Sequence, residues 1–378
     1  MNIAIVSRSN IEDRTYWSGV IEKVYYSLKL VKGIKVIKID KLNNSIRKIY
    51  SLKREFLKYT KKEKYDDAYN KFVSKNFANQ IKRKIEQNNI DYILCFDSSL
   101  IAHLDTKIPI ILWTDLLYQD YYEHYFHNQN ISINTLKSIR KIENLSIRKC
   151  HKILLPTKWA IKNAKIRHKS HSKKFYLLPF GINLKTSINK SNIKQIIKKK
   201  QKKKLILVTL SVDWKRKGVD KIIELKKILE FKGLIVKLII IGAKNFKKYE
   251  HKNIDVVPFI NKNFKGADNK ISNLLTKSHF NLLFSSAEAY GIALLEANSR
   301  ALPNLAFKVG GINNIVKNGF NGRLFNKNEK LDKIAEYVFK IFNNKKKYHK
   351  LSVNSYNYYN KIYSDKIIYN SFLKIIAK

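Results

Sequence analysis

The chain has 378 residues and a formal net charge of +47, with 44% hydrophobic and 12% aromatic residues. Those figures are those of a folded chain, not a disordered one, and leave room for two α/β domains with separate cores. Its two cysteines, Cys95 and Cys150, stand in no metal-binding or CxxC spacing, so no zinc module and no disulfide framework is expected.

The charge has two readings. Lys, Asn, Ile, Tyr and Phe are abundant throughout, and A/T-rich codons encode all five, so base composition with a solvated lysine surface is the favoured source. A role at an anionic membrane surface stays open. The basic residues are spread along the chain without a nucleic-acid module, and nucleic acid is not an expected partner. The two cysteines read as buried thiols in a reducing compartment. The sequence opens on an apolar run, Ile3 to Val6, without a charged-then-apolar leader, and no run reaches the length of a membrane span. A cytoplasmic protein is expected, with peripheral attachment to the inner face of a membrane left open.

In chain order, strand 2–7 leads to Gly19 and a helix with Ile21, Val24, Tyr25 and Leu28 on one face, then a strand from Ile34. This β-α-β unit predicts a parallel sheet with a right-handed crossover. Gly19 is either a simple turn or a point where an anionic ligand meets the backbone. Residues 41–71 are basic, with helical tendency and interspersed aromatics; they are a solvated insertion or an amphipathic segment facing a membrane or acceptor. A helix near 77–87, strand 92–96 and a polar turn at Asp97-Ser98-Ser99 follow. Strand 108–113 ends in Thr114-Asp115. Asp115 is a site candidate because α/β sheets bind ligands beyond strand carboxyl ends, and equally a helix cap. Tyr118, Tyr121, Tyr122, Tyr125 and Phe126 read as an aromatic loop that stacks on a sugar or packs the core. Helix 134–149 and strands 152–155 and 175–178 complete the first half.

The stretch Leu184 to Lys204 is dense in lysine and free of aromatics, which reads as an interdomain linker. The pattern restarts with strand 205–210, the loop Asp213-Trp214-Lys215-Arg216-Lys217-Gly218 and helix 219–231. Strands 235–241 and 255–259 and a helix near 269–277 follow. An apolar run 280–284 then opens the stretch SSAEAYGIALLE, where a small-residue loop leads into a helix from Ile292 that stops before Pro303. Strand 305–309 and Gly310-Gly311 come next, and helices fill the chain from Leu331 onward. Lys215, Arg216 and Lys217 at a strand-to-helix turn can neutralise a diphosphate. Gly291 allows close approach, with amides at Ala289, Tyr290 and Ile292 available to phosphate oxygens. Glu296 can accept hydrogen bonds from ribose hydroxyls and Glu288 from those of a sugar; taken singly, each reads rather as an exposed glutamate that favours a helix N-terminus.

In this combination the chain resembles the retaining glycosyltransferases of family 4, glycosyl transferases group 1. EAYGIALLE carries Glu288 and Glu296 at the spacing of the family's paired glutamates. DWKRKGVD looks like its phosphate loop with Lys217-Gly218 in register. PFIN, with Phe259 and Ile260, looks like the turn near the nucleotide base, and LPTKWA and PFGINL look like first-domain signatures. The resemblance implies a GT-B fold, two Rossmann-like doubly wound α/β domains facing across a cleft. The implied domains are 1–184 on the acceptor side, a linker 185–204, a nucleotide-sugar domain 205–345, and helices 346–378 packing back on the first domain. It implies a hexosyltransferase moving sugar from a nucleoside-diphosphate sugar to a glycan, lipid-linked or small-molecule acceptor, with no metal and no cofactor beyond the donor. Lys217 would hold the diphosphate, with Lys215 or Arg216 as second cation, Glu296 the ribose and Glu288 the donor sugar. Many members carry an arginine where Val212 or Asp213 stands here, and His-Asp where this chain has Thr114-Asp115. Asp115 is therefore placed in the site and no catalytic histidine is assigned. Left open beside this are a GT-B enzyme that hydrolyses, isomerises or phosphorolyses a sugar compound, and a non-catalytic basic membrane- or nucleic-acid-binding relative.

Overall fold

In a computed structural model, residues 1–126, 129–200, 203–243 and 253–377 are described. They form two compact units, one of Met1–Pro179 with Tyr369–Lys378, the other of Phe180–Ile368.

Unit 1 is built on a six-stranded sheet of order β2-β1-β3-β4-β5-β6, comprising β1 (Asn2–Val6), β2 (Lys35–Ile39), β3 (Tyr92–Cys95), β4 (Ile110–Trp113), β5 (Cys150–Leu155) and β6 (Phe175–Leu177). All pairings are parallel. The central strands are near-continuous apolar runs, as burial on both faces requires. Helices α1 (Val20–Lys29), α2 (Ser45–Thr60), α3 (Lys71–Glu86), α4 (Ser98–Ile101), α5 (Tyr118–Phe126), α6 (Ile133–Lys149) and α7 (Lys158–Arg167) connect them.

Unit 2 repeats the plan with helices α8 (Lys190–Lys199), α9 (Val219–Phe231), α10 (Ala267–Lys277) and α11 (Ile292–Asn298). Its strands are β7 (Leu205–Leu210), β8 (Val236–Ala243), β9 (Ile254–Pro258), β10 (Phe280–Leu283), β11 (Asn304–Phe307) and β12 (Gly322–Phe325), in the order β12-β11-β10-β7-β8-β9. Chain progress reverses between β7 and β10, and ligands of open α/β sheets bind beyond the carboxyl ends of the strands at such a reversal. Helices α12 (Leu331–Phe342), α13 (Lys345–Tyr363) and α14 (Asp365–Ile376) close the chain. Each unit is thus a doubly wound parallel α/β sheet.

Several local expectations change. Residues 118–126 form helix α5, not a loop, and Tyr122 is core. The Asp97 turn is the cap of α4, its carboxylate accepting from Ser99 N at 2.9 Å. The stretch 185–204, in which Gln201 and Lys202 lie outside the described residues, contains α8, whose Ile193 and Ile197 are buried. The chain divides after Pro179 instead of Leu184, because Phe180, Ile182 and Leu184 are buried and Tyr290 Oη donates to Phe180 O at 2.5 Å. From 346 onward only Tyr369–Lys378 belongs to unit 1, where Phe372 stacks on Trp113 with ring centroids 5.6 Å apart.

Candidate active site

The strongest constellation lies at the carboxyl ends of β7 and β10. After β7 the chain winds through a tight loop, with Lys217 N donating to Asp213 O at 2.9 Å and Gly218 N to Lys215 O at 3.2 Å. Gly218 then caps α9 with φ +67, where a Cβ would overlap the carbonyl of Phe284 at the end of β10. The β10–α11 loop is stitched to this turn from the other side. Ser286 N donates to Arg216 O at 2.8 Å, and Arg216 Nη1 to Ala287 O at 3.0 Å. Two segments that are distant in sequence thus form one wall.

At its centre Lys217 Nζ donates to Glu288 Oε2 at 2.5 Å, a contact between residues 71 positions apart. Arg216 Nη1 reaches the same oxygen at 3.4 Å, as does Ser285 Oγ. Arg216 also bonds Asp213 through Nε at 2.9 Å, and Lys215 is exposed. Glu288 is buried, which acts to raise its pKa, but the charges of Lys217 and Arg216 outweigh burial and hold it below the ordinary glutamate range. A depressed carboxylate contributes stability that is complete above its unfolded-state value and is lost as pH falls through the folded-state value. The stability advantage of the parent chain over Glu288→Gln should therefore be full at pH 6–7 and shrink below about pH 4.5, as read from denaturant midpoints at each pH. A pH-independent difference would mean that the ionised carboxylate contributes nothing.

Gly291 caps α11 with φ +92, and a Cβ there would lie 3.1 Å from Leu294 Cδ1. Ala289 and Tyr290 are buried, and Ile292 is half-buried at the start of the helix. Glu296, one turn on, is also buried and accepts from Lys262 Nζ at 2.6 Å, while Lys262 also donates to Asn183 Oδ1. Lys262 directly follows the turn PFIN, whose Phe259 is 50% exposed and Ile260 half-buried. Sequence pattern alone did not single out Lys262, Asn183 or Ser285. The adjacency of Lys262 to PFIN was the available signal, hidden by the abundance of lysine.

Gly19 and Asp115 lie in unit 1. Gly19 caps α1 with φ +77, and the two residues before it, Trp17 and Ser18, also adopt left-handed φ of +50 and +52. Such backbone in non-glycine residues stores strain and recurs at ligand sites. Arg8, at the end of β1, pairs with Asp97, and Asp97's charge raises its pKa against the lowering effect of burial. Asp115 is half-buried just past β4. The first amides of α5 go to Glu143 of α6, Gln119 N at 3.0 Å from Oε2 and Tyr118 N to Oε1. Burial pushes the Glu143 carboxyl up to about 7, against the pull of those two amides. The α5 aromatics knit inward: Tyr118 stacks on Tyr69 at 3.8 Å, and Tyr118 and Tyr122 hydroxyls donate to Asp66. Among the described residues no group of three or more His, Cys, Asp or Glu side chains could hold a metal ion.

Residues 189–358 match the model of the family described as glycosyl transferases group 1. The chain is 28% identical over 133 residues to an uncharacterised glycosyltransferase of Methanocaldococcus jannaschii, covering 34% of this chain and 36% of that protein. It is 27% identical over 247 residues to the alpha-monoglucosyldiacylglycerol synthase of Acholeplasma laidlawii, covering 60% and 59%. The chain therefore spans less than two thirds of the length of either curated relative. Among solved structures, the sucrose-phosphate synthase of Thermosynechococcus elongatus superposes with a TM-score of 0.74 at 12% identity, covering 100% of this chain and 98% of that one. Anabaena HepE in complex with UDP and glucose gives 0.66 at 14% identity over 100% of both chains. At these identities the structural likeness speaks to the fold alone.

Proposed function

From the group 1 glycosyl transferase domain of residues 189–358 as premise, we propose that the chain is a retaining hexosyltransferase that takes its sugar from a nucleoside-diphosphate donor. The observation that carries this reading is the meeting of Lys217 and Glu288 at 2.5 Å where unit 2's sheet reverses. A lysine ammonium has three donors. With one on Glu288, it retains two for diphosphate oxygens, and Arg216 and Lys215 supply further positive charge beside it. The backbone of Ala289 to Ile292 adds phosphate contacts. Glu288 accepts from the transferred sugar's hydroxyls, Glu296 from the ribose, and Phe259 and Ile260 border the base. Asp115 serves the reaction from unit 1, and Gly19 offers backbone to an anionic group of the donor.

In the reaction the bond from the anomeric carbon to the diphosphate oxygen breaks. The acceptor hydroxyl bonds to that carbon on the same face, and its proton passes to the departing phosphate oxygen. No metal takes part. Stabilising the charge that grows on the diphosphate is the main electrostatic task, and it falls to Lys217. One relative is a monoglucosyldiacylglycerol synthase. That favours a lipid-linked acceptor over a soluble glycan or small molecule, and with it a protein peripheral to the inner face of a membrane.

Glu296→Ala should weaken nucleoside-diphosphate binding in a calorimetric titration while the melting curve stays cooperative. An unchanged affinity would sink the ribose role. A thermal-shift panel of nucleotide sugars should identify the donor as the compound that raises the melting temperature.

A further inference from the structure

Helix α2 is mounted with its apolar face outward. None of its residues is buried. Asp67, itself 3% exposed, draws Arg47 and Arg54 to the inner side, at 3.3 and 3.2 Å. Tyr50 lies on that side too, stacked against Phe72 of α3 at 6.4 Å. The opposite side carries Ile49, Leu52, Phe56 and Tyr59, which are 65, 71, 62 and 86% exposed. Their spacing puts them in one stripe along the helix. A helix that simply covers a domain does the reverse, burying its apolar residues and pointing its arginines to water. Single exposed hydrophobics are ordinary, but four aligned on one helix are not.

Lys48 and Lys53, both exposed, border the stripe, and Lys61 and Lys62, also exposed, follow the helix end. Glu55 is the only acidic residue in α2. An apolar stripe edged by lysines matches the interface of an anionic bilayer, where side chains enter the acyl boundary and ammonium groups meet lipid phosphates. We infer that α2 docks the protein on anionic membranes by inserting Ile49, Leu52, Phe56 and Tyr59. This deepens the membrane part of the proposed function and does not depend on glycosyl transfer.

The test is co-sedimentation of the full chain with phosphatidylcholine vesicles, with and without one third phosphatidylglycerol, in the absence of nucleotide. The parent chain should pellet with the anionic vesicles only, and less so at high salt. Leu52→Glu/Phe56→Glu, at exposed positions where folding is little affected, should lower the partition coefficient at least about tenfold. Phe231→Glu, at a 94% exposed site at the end of α9, should bind like the parent. The inference is overturned if the parent ignores anionic vesicles, or if the α2 variant binds as well as the parent. It is also overturned if that variant turns a dimer into a monomer by light scattering without vesicles, since a second copy would then cover the stripe. Because nucleotide is absent, failure here leaves the transfer reading standing, and loss of transfer leaves this result standing.

Discussion

Lys217→Ala should lower glycosyl transfer by about 10- to 150-fold, the range spanned by the ~1.5–3 kcal/mol that a hydrogen bond to a charged group contributes. The lysine carries two loads. In the proposed role it offers charge to the diphosphate, and in the structure it neutralises Glu288, which keeps Arg216 and Ser285 at 3.4 Å once the lysine is gone. Both side chains of the pair are largely buried, 12 and 11% exposed, so severing it costs stability as well. We expect about 3 kcal/mol, the lower end for a broken buried pair, because Arg216 stays in reach. The two effects separate experimentally. Transfer is measured below the variant's own melting transition, and donor affinity by calorimetry. A folded variant with parent rates would exclude the diphosphate role.

Gly218→Ala should destabilise unit 2 by roughly 2–5 kcal/mol, combining ~1–2 for a left-handed alanine with ~1–3 for overpacking. Its Cβ would run into the Phe284 carbonyl, a backbone atom at the end of a buried strand that has little room to yield. Gly233, just past the other end of the same helix, provides the control. It too has positive φ, +86, but nothing lies within 4 Å of its Cβ position. Gly233→Ala should therefore lose only the conformational part, about 1 kcal/mol. Equal losses in denaturant unfolding would show that the contact with Phe284 is not what requires glycine.

The sequence was most legible where local pattern and tertiary environment agree. Strands β7 and β10 are short apolar runs buried on both faces, and the loops after them are marked by glycine, so the two loops that meet at Lys217 and Glu288 could be located from pattern. Helix α5 was not legible, because a run of tyrosines has no clear period. What fixes it as a helix is remote, the carboxylate of Glu143 on its first amides and the stack on Tyr69. The pair Ile193 and Ile197 in α8 has helical spacing, but the surrounding lysines mask it. Lys262 could not be found by charge in a chain with 76 Lys and Arg residues. Nor does the amphipathic pattern of α2 say which face is turned inward. That is decided by Asp67, which lies outside the helix.

The discontinuity of unit 1 bears on how the chain is made. Its first 179 residues are synthesised before any of unit 2, yet the segment that brings Phe372 onto Trp113 is translated after all of it. In the same segment the backbone carbonyl of Ile375 accepts from Lys152 Nζ at 2.6 Å, beside a sheet assembled long before. During elongation the early sheet must therefore wait with Trp113 lacking the ring of Phe372, while unit 2, a contiguous stretch, can complete its core in between. The order of maturation is thereby inverted. The half that emerges first is the half that finishes last, and the closing contacts bridge one of the longest loops the polymer contains.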